Sequence, residues 1–416
     1  MRHFKILAAS MGAALLVAAC GGGGGSAGDQ TPKIKFSSMV TFGDSLSDVG
    51  SYKVGTVATL GGGQWTVNSP SAKNWTELLA AQYSLPAPCA AETGLPSVLF
   101  TGFTGDVIKD FPNCRNYAQG SARVTSSYSL YSLAVQQAVL STSGTAAATA
   151  TAGLGLMAVP VATQMSRHLA NVGGSYSGSE LVTVLAGAND VLMNLNAVAK
   201  SVGGGATAVG AATFAGWTTR PDWGTLQTTL FLGGTSPAAT LAAATAAQNA
   251  AVDSMGSIAT DLAGDIQTQV IAKGAKYVVV VNVPDISITP FATETEAVSP
   301  GTVTLLAKLV NTFNTTLTSA LNTTNGVIIV DAFSDSHNQS IHPEHYALSN
   351  VTKEACDPAS TANPLQGRAL TCTASSTLPG IDTSAYLFAD GVHPTPYGYK
   401  LLAQLVAKSL VLAGWL

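Results

Sequence analysis

Two apolar runs constrain the fold of this 416-residue chain more than any other feature. The runs KYVVVVNVPD (276–285) and GVIIVDAFS (326–334) are rich in β-branched residues and show no polar alternation. Strands with one solvent-facing side alternate apolar and polar residues, so these runs indicate strands that are covered on both faces. Helical stretches such as 237–275 and 301–324 lie next to them. Alternating helices and buried strands predict an α/β fold with a parallel sheet between helical layers.

Polar clusters follow three of the predicted strands. They are Gly-Asp-Ser at 43–45, Gly-Ala-Asn-Asp at 187–190 and Pro-Asp at 284–285. In parallel sheets, ligands bind beyond the carboxyl ends of the strands, and these clusters occupy that edge. We therefore expect the functional site there.

Ser45 needs a proton acceptor if it is to act as a nucleophile. A serine hydroxyl becomes nucleophilic when an imidazole takes its proton, and a carboxylate usually orients that imidazole. His393 lies in FADGVHPT, three residues after Asp390. We therefore take Ser45, His393 and Asp390 as candidate catalytic residues. A solvated loop with a chance Asp-x-x-His is the alternative that this spacing leaves open.

The other acids and histidines of the chain are expected to have structural and not catalytic roles. His168 is expected on a helix surface. Three further histidines share one polar loop: His337, His342 and His345. Four acids are expected to cap or brace turns: Asp44, Asp48, Asp190 and Asp285. No Cys/His spacing resembles a zinc site, so we expect no metal.

Four motifs occur in a fixed order: TFGDSLSDVG, NYAQGSA, LAGANDV and FADGVHPT. They resemble the four blocks of the GDSL, or SGNH, hydrolase family of esterases and lipases, and the resemblance spans roughly residues 36–410. It implies a flavodoxin-like three-layer α/β/α sandwich with a mainly parallel sheet. It also implies a triad of Ser45, Asp390 and His393 that needs no cofactor, and an oxyanion hole that includes the Ser45 amide and the Asn189 side chain.

The second motif departs from the family pattern. The family usually has two glycines where this chain has Gly120 followed by Ser121. The family's residue supplies a backbone N–H, which serine also has, but a Cβ atom is unfavourable where φ is positive. Gly120 and Ser121 therefore both remain candidates for the oxyanion donor.

The N-terminus predicts export. Arg2 and Lys5 precede a short apolar run, ILAASMGAALLVAA, which ends at Cys20. This is the layout of a secretory signal, and the run is short for a transmembrane helix. LVAAC also resembles the lipobox of bacterial lipoproteins, whose cysteine becomes lipidated.

We therefore divide the chain into a signal peptide (1–19), a lipid-anchored Gly-rich tether (20–32) and a hydrolase domain (33–416). Gly21 after the cysteine favours outer-membrane sorting by the same resemblance. A plain signal peptide, and with it a secreted or periplasmic protein, is the alternative.

Four cysteines remain if Cys20 is lipidated. An even number in an exported chain indicates disulfides, and four cysteines allow three connectivities. We favour the two local pairings, Cys89–Cys114 and Cys356–Cys372, because each closes one loop-rich segment. Free buried thiols are the alternative.

Charge, the inserted segments and composition limit the partners and substrates that we expect. The net charge of −4 and the lack of a basic run argue against a nucleic-acid partner. Segments near 125–158 and 200–236 are expected to be insertions that form the substrate pocket. Lipid or short-chain acyl esters are the favoured substrates. A phospholipase or acyltransferase, a glycan O-deacetylase, a polyester depolymerase and a catalytically dead binding protein remain alternatives.

Overall fold

The computed structural model describes residues 31–95, 104–129 and 157–416. The strands in this part are β1 Met39–Gly43, β2 Glu92–Leu95, β3 Asp106–Asp110, β4 Leu181–Leu185, β5 Tyr277–Val281, β6 Val327–Val330, β7 Asn350–Glu354 and β8 Tyr386–Phe388. The helices are α1 Gly55–Thr59, α2 Trp75–Gln82, α3 Val161–Asn171, α4 Ala188–Ser201, α5 Gly205–Ala215, α6 Trp223–Leu232, α7 Pro237–Asp265, α8 Pro290–Val298, α9 Thr302–Leu321, α10 Ala332–Ile341 and α11 Pro396–Leu412.

Some sequence predictions fall outside the described residues. These are the signal peptide at 1–19, the lipidated Cys20, nearly all of the tether and most of the insertion near 125–158. Among the helices of the described ranges, none combines the length and the apolar character needed to cross a bilayer.

The central sheet is parallel, with the strand order β1-β4-β5-β6. A short segment, 115–119, runs along the free edge of β1. There the Thr41 amide donates to the Arg115 carbonyl at 3.0 Å, and the Tyr117 amide donates to the Thr41 carbonyl at 2.8 Å. With this segment counted as the second strand, the order is 2-1-3-4-5, the flavodoxin-like arrangement. The predicted fold is confirmed.

Both faces of the sheet are buried, as the apolar runs predict. Side chains alternate between the faces of each strand. One face carries Val182, Val184, Val278 and Val280 and packs in one core with residues of α4, α7 and α9. The opposite face carries Leu181, Leu185, Val279 and Val281 and packs with α2 and α11. The β-branched runs are therefore explained by a sheet held between two helical layers.

The Ala-rich stretch after residue 236 forms one long helix. Helix α7 begins at the Ser236 cap, whose hydroxyl accepts the Ala239 amide at 3.2 Å. It runs through Gly256 to Asp265 and continues as a π-helical turn, Ile266–Ile271. The glycines of this stretch do not break the helix. Small residues on its buried side pack against α9, and this packing outweighs the low helix propensity of glycine.

The predicted insertion at 200–236 folds as two helices, α5 and α6, within the same layer. Trp217 lies between them, is fully buried and donates through its indole N–H to the Asn194 side-chain oxygen at 2.7 Å. The segment thereby packs against α4 and α7.

Two disulfide bonds join Cys89 to Cys114 and Cys356 to Cys372, the local pairings favoured from the sequence. The second bond connects the region just after β7 with the loop that precedes β8. Strands β7 and β8 pair in parallel. Together these contacts support the segment that carries Asp390 and His393.

Candidate active site

Strand β1 ends in a tightly fitted turn at Gly43. Its φ is 157°, and a Cβ atom there would lie 2.3 Å from the Leu185 carbonyl oxygen of β4. The Gln164 side chain accepts the Gly43 amide and donates to the Gly43 carbonyl, both at 2.9 Å. Glycine lets β1 and β4 approach closely at this point, and the chain then turns to present Ser45.

The three predicted catalytic residues lie in one hydrogen-bonded row. His393 Nε2 is 2.9 Å from Ser45 Oγ. His393 Nδ1 is 2.8 Å and 3.0 Å from the two carboxylate oxygens of Asp390. A proton on Nδ1 that is donated to Asp390 leaves the Nε2 lone pair free to accept the Ser45 hydroxyl. This geometry can transfer the serine proton to the imidazole.

Asp390 is held as a carboxylate. Burial alone would raise its pKa, but the charge and hydrogen bond of His393, with the amides of Ala369 and His393, outweigh burial and lower the pKa to about 2. The folded pKa lies below the ordinary value of 3.8. Its stabilising contribution is therefore complete above about pH 4 and is lost as the pH falls through about 2.

The two candidates from the second motif differ in what their amides contact. The Gly120 amide donates to Asp48 Oδ2 at 3.0 Å, so it is already engaged. The Ser121 amide has no acceptor among the described residues, and Ser121 lines the same cavity as Ser45 and Asn189. The Gly120 amide is therefore not available as an oxyanion donor in this structure. Ser121 is the candidate whose N–H has no acceptor among the described residues.

Ser121 adopts a positive φ, the conformation in which a Cβ atom is unfavourable. Its φ is 64°, in the left-handed region that favours glycine. Its hydroxyl makes no hydrogen bond within the described part of the chain. The backbone at this position is thus strained, and no hydrogen bond of the Ser121 hydroxyl within the described residues offsets the conformational cost.

Asn189 stands at the start of α4, directly beyond β4. Its amide nitrogen donates to the Ala122 carbonyl at 3.0 Å, which fixes the side chain and leaves its second N–H available. The neighbouring Asp190 accepts the Arg123 guanidinium at 2.7 Å and the Val124 amide at 3.0 Å. Both charged groups of this ion pair are buried. Asp190 thus braces the turn that aims Asn189, and it ties the second motif to the third.

Asp48 holds the first and second motifs together. Its carboxylate accepts the amides of Gly50 and Ser51, the Ser51 hydroxyl, the Trp65 indole N–H at 3.3 Å and the Gly120 amide. This is the bracing role expected from the sequence.

Trp65 is a site residue that the sequence analysis missed. Its ring lies against His393, with centroids 4.9 Å apart and planes 32° apart. A Cβ atom on Gly120 would lie 2.3 Å from the same indole. Trp65 therefore packs between the imidazole and the second motif. A tryptophan in a Gly-rich loop carries no sequence signal for such a position.

A cavity of about 820 Å³ opens at Ser45. Its walls are mostly apolar and include Leu46, Leu192, Ile286, Leu365, Phe388, Val392, Leu402 and Leu405. Asp335, Ser336 and Gln339 add one polar patch. The described residues of the insertions near 125–158 and 200–236 do not line it, so the expectation that they form the pocket is wrong for that part of the chain. The turn after β5, the loop 364–368 and helices α10 and α11 line it instead.

Of two further sequence predictions, the one for Asp285 agrees with the structure and the one for His168 does not. Asp285 caps the turn after β5, where it accepts the Ser287 amide at 2.9 Å and contacts His337 Nδ1 at 2.8 Å, so its structural assignment holds. His168 was expected on a helix surface, but it is buried against Phe42, Tyr117 and Tyr176. Its helix is amphipathic, and His168 falls on the apolar face.

The structure also groups side chains that can hold a metal. His342, Glu344 and His345 each offer one ligand atom, and these atoms lie within 4.8 Å of one another. No metal was expected from the sequence, because no Cys/His spacing resembles a zinc site; a cluster that includes a glutamate falls outside that pattern.

Asp44 is a buried carboxyl group next to Ser45. One oxygen accepts the Leu46 amide at 3.0 Å, and the other has no hydrogen-bond partner among the described residues. Burial raises its pKa to about 7, against the opposing effects of the Leu46 amide and the His393 charge. The folded state therefore keeps this proton to a higher pH than the unfolded chain does.

This difference predicts a pH-dependent stability effect. Between about pH 4 and 7 the folded state binds more protons at Asp44, so its contribution to stability falls as the pH rises and is constant above 7. Asp44→Asn removes the titration. The melting temperature of the variant relative to the wild type should therefore increase from pH 4 to pH 7. A constant difference over that range would contradict the assigned pKa. Asp382→Asn, at a surface turn, is the control.

Comparison with known proteins assigns the chain to a family. The family model described as GDSL-like Lipase/Acylhydrolase matches residues 39–406, which is most of the chain. A search of curated proteins found no match. The matched region contains the parallel sheet, Ser45, Asn189, Asp390 and His393. The chain therefore belongs to the family of GDSL-like lipases and acylhydrolases.

Proposed function

We propose that this protein is a serine ester hydrolase that cleaves esters of apolar carboxylic acids through an acyl-enzyme on Ser45. The observation that carries the proposal is the row Asp390–His393–Ser45, with contacts of 2.8 Å and 2.9 Å, at the mouth of a largely apolar cavity. Family membership supports ester hydrolysis in general. The triad roles and the substrate class are the proposed part.

In the first half of the reaction, Ser45 Oγ attacks the ester carbonyl carbon while its proton passes to His393 Nε2. The carbonyl π electrons move to the oxygen and form a tetrahedral oxyanion. The oxyanion then re-forms the carbonyl, the ester C–O bond breaks, and His393 returns the proton to the departing alkoxide. Asp390 stays ionised throughout and stabilises the imidazolium.

Three N–H groups are proposed to hold the oxyanion: the Ser45 amide, the Ser121 amide and the free side-chain N–H of Asn189. The two amides have no other acceptor among the described residues, so neither loses a hydrogen bond when the oxyanion forms. One such donor is typically worth roughly 100- to 1,000-fold in turnover.

In the second half, water takes the place of serine. His393 removes a proton from water, the hydroxide adds to the acyl carbonyl, and the second tetrahedral intermediate expels Ser45 Oγ, which regains a proton from His393. The acid leaves. An alcohol in place of water would give acyl transfer by the same steps.

The apolar cavity wall favours an aliphatic acyl chain over an acetylated sugar. An alkyl chain that binds there displaces water from the leucine, isoleucine and phenylalanine side chains of the wall, and this burial of apolar surface stabilises the complex. A glycan would need polar partners over much of its surface, and although Asp285, Asp335, Gln339, Gln366 and Arg368 line the cavity, most of the wall is apolar. The proposed substrates are therefore lipid or short-chain acyl esters. A lipid anchor at Cys20, if it forms, would hold the enzyme at a membrane.

The first test is Ser45→Ala. Turnover of p-nitrophenyl butyrate should fall by on the order of 10⁴-fold, because the acyl-enzyme cannot form. The melting temperature should change little, since among the described residues the hydroxyl makes a hydrogen bond with His393 alone. Retention of a tenth of the wild-type rate in pure protein would exclude Ser45 as the nucleophile.

The cavity wall predicts chain-length selectivity. Each added methylene that is buried contributes about 0.8 kcal/mol, so kcat/KM should rise roughly fourfold per methylene until the cavity is filled. Leu405→Asn, on the wall, should reduce kcat/KM for long-chain p-nitrophenyl esters and spare the acetate. Leu412→Asn is the matched control, since Leu412 lies on the same helix, is 80% exposed and lies off the wall. A series that declines steadily from acetate would contradict an alkyl-binding cavity.

The strained Ser121 predicts a gain of function. Ser121→Gly relieves a conformational cost of about 1 kcal/mol and lets the amide settle towards the oxyanion. Turnover should rise several-fold with little change in KM, because the oxyanion exists only along the reaction path. Ser121→Ala keeps the strain and removes only the hydroxyl, so it should match the wild type.

Gly120→Ala does not discriminate between the two donors. Its Cβ would displace Trp65 from His393, so activity should be lost whichever amide serves. If Ser121→Gly and Ser121→Ala lower turnover equally, the hydroxyl is what matters, and the assignment of the Ser121 amide is wrong.

A further inference from the structure

Two histidines and a glutamate converge on one exposed turn, which connects α10 with β7. His342 ends α10, and Glu344 and His345 lie in the 3₁₀ helix Pro343–Tyr346 that follows it. Their side chains are 52%, 66% and 59% exposed, respectively. None of them takes part in the proposed ester hydrolysis.

Two of the three distances between the ligand atoms approach those of a tetrahedral metal site, and all three atoms lie within 4.8 Å of one another. His342 Nδ1 and His345 Nε2 each lie 3.6 Å from Glu344 Oε1. In a tetrahedral zinc site with bonds of about 2.0–2.1 Å, neighbouring ligand atoms lie about 3.3 Å apart. All three side chains are exposed, so they are free to rotate towards a common ion.

Charge pairing alone explains the arrangement poorly. The two imidazole rings stack, with centroids 5.1 Å apart and planes 19° apart. Neither ring nitrogen lies within hydrogen-bond distance of the carboxylate, because both distances to Glu344 Oε1 are 3.6 Å. Exposed ion pairs also contribute little to stability. A metal ion lies in the plane of each imidazole that binds it, so the exposed rings would have to rotate out of the stack to place both nitrogens and the carboxylate around one divalent cation.

We propose that His342, Glu344 and His345 form a binding site for a divalent transition metal, with zinc as the best fit. Two imidazoles and one carboxylate suit zinc and its borderline neighbours better than calcium or magnesium, which prefer oxygen ligands. Because the turn is exposed, water occupies the fourth position.

The metal would stiffen one wall of the substrate cavity. Tyr346, the last residue of the turn, donates through its hydroxyl to Asp335 of the cavity wall at 3.3 Å. The Tyr346 carbonyl accepts the Tyr397 hydroxyl of α11 at 2.9 Å. A bound ion fixes the turn from which both contacts start, so its effect is structural.

The test is equilibrium dialysis of the full-length, untagged protein against zinc chloride, with thermal melting in parallel. We expect the site to bind one zinc ion per chain. The melting temperature should rise with the zinc concentration. The double variant His342→Ala/His345→Ala should bind one ion fewer and lose the thermal shift. Glu344→Gln should weaken binding at least tenfold.

His337→Ala is the matched control, because it removes a half-exposed histidine of α10 that lies outside the cluster. It should bind as much zinc as the wild type. The proposal is overturned if the wild type shows no zinc-dependent shift, or if the double variant binds zinc as the wild type does. If the double variant fails to fold, Glu344→Gln decides: unchanged affinity rejects the site.

Discussion

The buried carboxylate of Asp48 is the contact on which the site depends. Burial raises its pKa, while hydrogen bonds from Ser51, Gly50 and Gly120 favour the charged form. A buried charge is tolerated only where donors surround it, and here those donors come from separate parts of the chain. One carboxylate thereby fixes the turn after Ser45, the indole of Trp65 and the start of the second motif.

The Gly120 amide, which Asp48 engages, lies next to Ser121 in the chain. Gly120 is fixed by this contact and packed against Trp65, and the chain turns at the next residue, Ser121, through a φ of 64°. The buried pair of Arg123 and Asp190 then holds this segment against α4. The second and third motifs are positioned by these polar contacts, which are far apart in the sequence and adjacent in the fold.

His393 is supported from a different direction. Its segment follows β8, which is joined to β7, and Asp390 also accepts the Ala369 amide at 2.8 Å from the loop closed by Cys356–Cys372. The central sheet therefore positions Ser45 and Asn189, while the small sheet of β7 and β8 outside it positions Asp390 and His393. The cavity lies where these two parts meet, which explains why its wall includes residues of both.

The sequence by itself determined the sheet and most of the site. Runs such as 276–285 can be stable only as strands covered on both faces, and the motifs carried Ser45, Asn189, Asp390 and His393. These inferences rest on local patterns. Only the tertiary structure shows that the Gly120 amide is engaged by Asp48, that Trp65 lies on His393 and that His168 is buried. In each case the outcome depends on a backbone angle or on a partner from a distant segment, and adjacent letters in a sequence do not encode which amide a distant carboxylate will engage.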